Sequence, residues 1–199
     1  MSHDVYKVFL DANILHSKTL RDWIFLLSLE TGNEFFRVYT SQGVIDEYSY
    51  HWRKQHPIST DRARLKVVKQ IRESVFKVVE GFPVEPVDGY PDEHDLHVHA
   101  AAEFSEVDAL ITNDKKLIAF GASTAGEALL SYDTLSADDF LMQLAEFLPP
   151  TLPFKNVYLF QEKYALSRKH DTNLCESLRR AGAPQFAEFI HSKVYLRLV

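Results

Sequence analysis

The stretch VFLDANIL, residues 8–15, runs three apolar side chains into Asp11 and continues through Ala12 and Asn13 to Ile14 and Leu15. Tyr6 to Leu10 reads as a strand, and its nearly unbroken apolar run marks it as buried. A carboxylate closing such a strand is poorly explained as surface decoration. Parallel sheets present their functional groups at the carboxyl ends of their strands, so the position of Asp11 points to a site on that rim.

Outward from this strand, helical and strand patterns alternate. Ser17 caps a helix over about 19–30, where Leu20, Trp23, Ile24 and Leu27 repeat at helical spacing and Gly32 supplies the stop. Phe35 to Tyr39 is a short strand, and Ser41 opens a helix through Val44, Ile45, Tyr48 and Trp52 that Pro57 ends. Ser59 or Thr60 starts the longest expected helix, reaching about Val79. Ala63, Val67, Val68, Ile71, Val75, Val78 and Val79 share one side of it, opposite Arg62, Lys66, Lys69, Arg72 and Lys77. Residues 81–91 hold three prolines and two glycines and read as loop, with a brief strand at Pro83 to Val87. A helix beginning near His94 follows, then strands at Val107 to Thr112 and Ala128 to Tyr132, and a helix from a Ser136 cap to about Phe147.

This alternation implies βαβ units: an α/β chain with a mostly parallel central sheet covered on both faces. Pro149, Pro150 and Pro153 mark a boundary between a main domain at 1–148 and an extension at 149–199. The extension is helical over about 154–168 and 173–181, with Thr172 as cap and Gly182 as stop, and is too short to bury a good core alone.

The totals narrow the classes. A chain of 199 residues, 46% hydrophobic and 25% charged, suits one soluble domain with an appendage. Its apolar stretches fall far short of the ~20 residues of a membrane span. MSHDVYK lacks a charged-then-apolar signal pattern, so a cytoplasmic location is expected. The single Cys175 can form neither an internal disulfide nor a multi-cysteine metal site, which fits a reducing compartment. A net charge of -6 argues weakly against wholesale coating of nucleic acid, but an acidic cation site beside one basic face can still bind a polyanion.

Four acids stand at suggestive places. Asp11 ends the first strand, Glu47 lies within VIDEYSY, Asp95 opens the helix in DEHDLHVHAAAE, and Asp114 follows the strand in ALITNDKKL. Carboxylates gathered on one rim repel one another unless a cation sits among them, and oxygen-only ligands favour Mg²⁺ or Mn²⁺. A water activated by such a metal can attack a phosphodiester and leave a 5′-phosphate and a 3′-hydroxyl. Asn13 and Thr112 suit hydrogen-bonded support of ligands and waters. Asp46, Asp92 and Glu93 compete with Glu47 and Asp95 in sequence, and periodicity does not separate them.

The order VFLDANIL, VIDEYSYHW, DLHVHAAAE and ALITNDKKL resembles the PIN-domain ribonucleases, and in particular the VapC-like toxins of bacterial toxin-antitoxin pairs, over about residues 5–147. The resemblance implies a three-layer α/β/α fold and a metal-dependent endoribonuclease, with Asp11, Glu47, Asp95 and Asp114 as catalytic and metal-binding acids. It also implies an RNA substrate, a cognate antitoxin and a homodimer. SADDFLMQL and LCESLRRAGAPQFAEFI look like a subgroup with a helical tail. One departure is Lys116-Leu117, where many relatives carry Asp-Phe after the fourth acid.

Other patterns carry weaker readings. Arg21, Arg53, Lys54, Arg62, Lys66 and Lys69 can contact RNA phosphates, with Tyr48, Tyr50 and Trp52 as stacking rings, or can form an ordinary solvated face. His94 and His97 are one helical turn apart, but His99 points elsewhere and no cysteine is near, which disfavours zinc. Asn13 stands where an aspartyl-nucleophile phosphohydrolase needs a second acid. The alternative to an enzyme is a non-catalytic module of the same fold that binds RNA or protein.

Overall fold

A computed structural model describes residues 5–148 and 152–197 of the chain. Five strands, β1 (Tyr6–Leu10), β2 (Phe36–Ser41), β3 (Lys77–Val79), β4 (Ala109–Ile111) and β5 (Asp133–Leu135), form one sheet in the order β3-β2-β1-β4-β5. Every pairing is parallel. Parallel neighbours need crossovers, and the helices supply them. They are α1 (Ala12–His16), α2 (Lys18–Glu30), α3 (Gln42–Gln55), α4 (Asp61–Ser74), α5 (Leu96–Phe104), α6 (Lys115–Gly121) and α7 (Thr124–Leu129), and α8 (Ala137–Phe147) follows the last strand. The result is the expected α/β/α arrangement of three layers, with β1 at its centre.

Burial follows the apolar runs. Val8, Phe9 and Leu10 are fully buried, as are Leu20, Trp23, Ile24 and Leu27 of α2. Caps fall where the hydroxyl residues lie: Ser17, Ser41, Thr60 and Ser136 each accept a backbone N–H in the first turn of α2, α3, α4 and α8.

Three expectations are corrected. The helix expected to run from Thr60 to Val79 stops at Ser74; Val75 turns extended and Val78 pairs with Thr40 in β3. Valines at 75, 78 and 79 satisfy helical spacing and strand preference alike, and pairing beside β2 decides for the strand. The longest helix is instead α9 (Leu152–Arg168). No strand forms at Pro83 to Val87, where two prolines lack the N–H a ladder needs. The strand expected at Ala128 to Tyr132 lies at Asp133–Leu135, and residues 124–129 are helical. Ser123 caps that helix through Gly126 N at 3.1 Å, and a Cβ on Gly126 would stand 2.1 Å from the Phe120 carbonyl oxygen.

The C-terminal helices are α9, α10 (Leu174–Arg180) and α11 (Pro184–Phe189). Asn173, not Thr172, caps α10, its side chain accepting from Glu176 N at 3.0 Å. Pro149 and Pro150, which mark the expected boundary, lie outside the described residues. Phe154 and Phe186 belong to the same apolar core as the sheet, Phe186 meeting Trp23 edge to face at 5.2 Å. No helix among the described residues is long and apolar enough to cross a membrane.

Asp138 joins the two parts. It is 6% exposed and accepts from the Gln185 and Phe186 amides at 3.1 and 2.9 Å, satisfying N–H groups at the start of α11. Asp138→Ala leaves two amides without an acceptor and is expected to cost about 1–3 kcal/mol in urea unfolding, with Asp138→Asn costing less.

Candidate active site

Asp11 and Thr112 share one rim because β1 and β4 are neighbours, with Leu10 opposite Ile111 and the Asp11 amide donating to the Ile111 carbonyl at 3.1 Å. The chain turns from strand to helix at Asp11, whose Oδ1 accepts from Ala12 N at 2.6 Å. Its Oδ2 accepts from the Thr112 hydroxyl at 2.7 Å and from Asn13 Nδ2. Thr112 Oγ1 in turn accepts from Asn13 Nδ2 at 2.9 Å and from Asp114 N at 3.0 Å, so its one donor and both lone pairs are used. Asn13 Oδ1 accepts from Asn113 N at 3.0 Å. The two supporting residues thus lock Asp11 to the loop that carries Asp114. Asp114 caps α6 through Oδ1, which accepts from Lys116 N at 2.6 Å and more distantly from Leu117 N.

Glu47 comes from α3, and Asp95 ends a 3₁₀ turn at Glu93–Asp95 that runs straight into α5. The contact between the two helices depends on Gly43, where a Cβ would come within 2.8 Å of the His97 ring. His97 Nδ1 lies 2.8 Å from the His94 carbonyl oxygen, and its Nε2 stands 3.8 Å from Glu47 Oε2. His51 Nε2 stands 3.8 Å from the other Glu47 oxygen. Gly43, Glu47, Tyr50, His51, His94, Asp95 and His97 line an open cleft of about 540 Å³.

The acids sense one another. Burial pushes the Asp11 carboxyl up to about 6, opposed by the Thr112 hydroxyl and the Ala12 amide, while the negative Glu47 adds to the rise. Asp95 is also pushed up to about 6, first by burial and then by Asp11, Asp92 and Asp114. Glu47 is raised by burial and by Asp95, with His97 and His51 pulling the other way. Among the described residues, no lysine or arginine forms an ion pair with any of the four; the charge partners are His51 and His97, both on Glu47. An all-carboxylate set left repelling itself fits a hard divalent cation. Among the described residues no three His, Cys, Asp or Glu side chains close on a single point as they stand. Mg²⁺ keeps several of its own waters and takes few direct protein ligands, so the set suits it through water as well as by contact.

The competing acids have other tasks. Asp92 accepts from His94 N at 2.9 Å, Glu93 is exposed, and Asp46 holds Gln42 Nε2 at 2.7 Å. Arg21 is turned inward, donating to the Leu15 carbonyl at 2.9 Å and to the Tyr48 hydroxyl at 3.4 Å. Arg53 pairs with Asp61 at 3.1 Å and Lys69 with Glu73 at 3.6 Å, whereas Arg62 and Lys66 are exposed on α4. His99 is buried against the Tyr132 hydroxyl, 2.9 Å from its Nδ1, and is not among the cleft histidines His51, His94 and His97.

Tyr90 is the residue that pattern reading missed. It stacks at an angle on His99, ring centres 5.0 Å apart, and its hydroxyl is enclosed beside Tyr132. Burial raises that hydroxyl, the hydrogen bond to Tyr132 opposes the rise, and the charges of Asp95, Asp11 and Asp114 add to it. A lone tyrosine in a proline-rich loop carries no periodicity that would announce this.

Raised carboxyls mean that the folded chain holds protons more tightly than the unfolded chain, so stability falls as pH climbs from the ordinary carboxylate range through about 6. In chelator, the melting temperature is expected to drop between about pH 4 and pH 6.5, and to drop less in Asp95→Asn. Asp95 makes no side-chain capping bond, so this variant removes charge without uncapping α5. An equal drop in both proteins would remove Asp95 from the shared field.

Comparison with curated proteins and with solved structures gives no match. A family model described as PIN domain matches residues 7–116. That stretch spans β1 to β4 and contains Asp11, Glu47, Asp95 and Asp114. With more than half of its length matched, the chain belongs to the PIN domain family, whose fold is of the nuclease type.

Proposed function

We propose that this chain is an endoribonuclease that hydrolyses RNA phosphodiester bonds with Mg²⁺ or Mn²⁺ held by Asp11, Glu47, Asp95 and Asp114. One observation carries the reading: a buried carboxylate at the end of the central strand, raised to about 6, shares its field with Glu47 and Asp95, and among the described residues no lysine or arginine pairs with the four acids. Bound there, the cation supplies charge neutralisation at the phosphate and a water of lowered pKa. The residues supply position. Asp11 is fixed at both oxygens by Ala12, Asn13 and Thr112, so it meets its ligand without reorganising. Asp114 spends Oδ1 on α6 and leaves Oδ2 clear of those bonds. The order of the motifs further supports a place as the toxin of a type II toxin-antitoxin pair, with a cognate antitoxin and a homodimer as partners.

A second reading, a non-catalytic module that grips RNA or protein, is favoured by the lack of three converging donors among the described residues. Cleavage separates the two. Purified protein is expected to cut RNA in Mn²⁺ and to stop in chelator, and Asp11→Asn is expected to be inactive while keeping its far-ultraviolet circular dichroism. No metal-dependent cut across a broad panel of cellular RNA would establish the second reading.

Thr112→Val tests the support. It removes the hydroxyl that joins Asp11, Asn13 and Asp114, and a loss of roughly 10- to 100-fold in metal affinity or activity is expected. Mapping cleavage sites on total RNA after induced expression, against Asp11→Asn, identifies the substrate in the same experiment.

A further inference from the structure

The cleft wall carries nitrogen donors as well as acids. His97 Nδ1 lies 2.8 Å from the His94 carbonyl oxygen, which can only accept, so Nδ1 bears a proton and the neutral ring keeps its lone pair on Nε2. That Nε2 is enclosed, has no hydrogen-bond partner among the described residues, and stands 3.8 Å from Glu47 Oε2, beyond hydrogen-bond reach. A lone pair held facing a carboxylate is repulsive unless a cation sits between them. An imidazole that gives one N–H to a backbone carbonyl and turns its other nitrogen toward a carboxylate is oriented as metal-ligating histidines are. Glu47 has a second such neighbour. His51 follows it by four positions on α3, which puts both on one face, and His51 Nε2 stands 3.8 Å from Glu47 Oε1. His94 and His97 are the pair that sequence spacing offers, yet His94 enters this arrangement through its backbone.

We propose that His51, His97 and Glu47 form a transition-metal site, in which two ring nitrogens and one carboxylate take Zn²⁺ or a similar borderline ion and leave its fourth position open to the cleft. Imidazole suits such ions, whereas Mg²⁺ is suited by oxygen ligands alone. As they stand, no three donors among the described residues close on a single point. Two bonds of roughly 2.0–2.1 Å at a tetrahedral angle span about 3.3 Å, so against the observed 3.8 Å each nitrogen has about half an ångström to travel. The half-exposed His51 side chain, at the wall of an open cleft, has room for that movement. Glu47 belongs to this set and to the acids alike, so an ion on the nitrogens withdraws it from the acids and inhibits cleavage. The inhibition rests on the nuclease reading; the binding does not.

The test uses the full chain without RNA, in excess Mg²⁺, with Co²⁺ as the probe and Zn²⁺ as its competitor. Co²⁺ on a tetrahedral nitrogen and oxygen set absorbs strongly in the visible, and on an octahedral oxygen set only weakly. One Co²⁺ per chain is expected to give the strong band, and Zn²⁺ to displace it. His97→Ala and His51→Ala are each expected to abolish the band and to weaken Zn²⁺ binding by at least the roughly 10- to 100-fold that a ligand's outer partners are worth. Asp11→Asn, and His170→Ala in a different groove, are expected to keep both. Because His51 is half exposed, its variant reads the site without disturbing the core. A weak octahedral spectrum alone, a strong band that survives both histidine variants, or a band lost equally in Asp11→Asn each overturns the proposal. Cleavage in Mn²⁺ separates the two layers. A strong band in a chain that never cuts RNA removes the nuclease reading and leaves the nitrogen site, and a cut that persists with Zn²⁺ saturating the band overturns the sharing of Glu47.

Discussion

The structure is organised around a carboxylate that water barely reaches. Asp11 closes the central strand at 6% exposure, and burying an ionised group there is unfavourable unless donors replace the lost hydration. The Ala12 amide, the Asn13 amide group and the Thr112 hydroxyl are those donors, and each is delivered by a different consequence of the fold. The first belongs to the helix that starts at once, the second to its first turn, and the third to the neighbouring strand one hundred residues on. Compensation is incomplete, because the carboxyl remains raised to about 6 under the influence of Glu47. The residual demand for positive charge is what links fold to chemistry.

Much of this was legible before any coordinates. An apolar run ending in an acid marks a buried strand, which the sheet places at its centre, and alternation of helix and strand patterns implies the parallel layers. The four acids and the supporting pair, Asn13 and Thr112, stand out in the sequence by position; hydrogen bonds tie Asn13 and Thr112 to Asp11 and to the loop of Asp114, while Glu47 and Asp95 come from separate helices. What stayed hidden was of two kinds. Val75 to Val79 obey two periodicities at once, and only the presence of β2 alongside selects the strand. Tyr90 and Gly43 matter through neighbours that are distant in sequence, Tyr90 through the acids and Gly43 through the His97 ring. Arg21 offers an RNA contact by position, but its guanidinium is held by the Leu15 carbonyl, the Tyr48 hydroxyl and Asp22.

Acids and aromatics divide the cleft between them. Glu47, between two histidines, is the one acid with charge partners of its own, while Asp95 faces like charges. A negative phosphate approaching such a rim meets repulsion until a cation intervenes, so attraction for a polyanion has to come from elsewhere on the surface. Lys54 above Tyr50 on α3, and the exposed Arg62 and Lys66 of α4, are cations on the surface outside the acid set.

The join made by Asp138 has a bearing on how the chain can be cut and recombined. The stretch that matches the family ends at residue 116, before β5, and α8 with its buried Asp138 lies further on. A chimera spliced at the end of the match would therefore separate β4 from its parallel neighbour and strip Trp23 of the Phe186 ring that covers it. The stretch that matches the family is shorter than the apolar core that surrounds it, so exchanging it as a cassette would have to carry the C-terminal helices whose residues close that core.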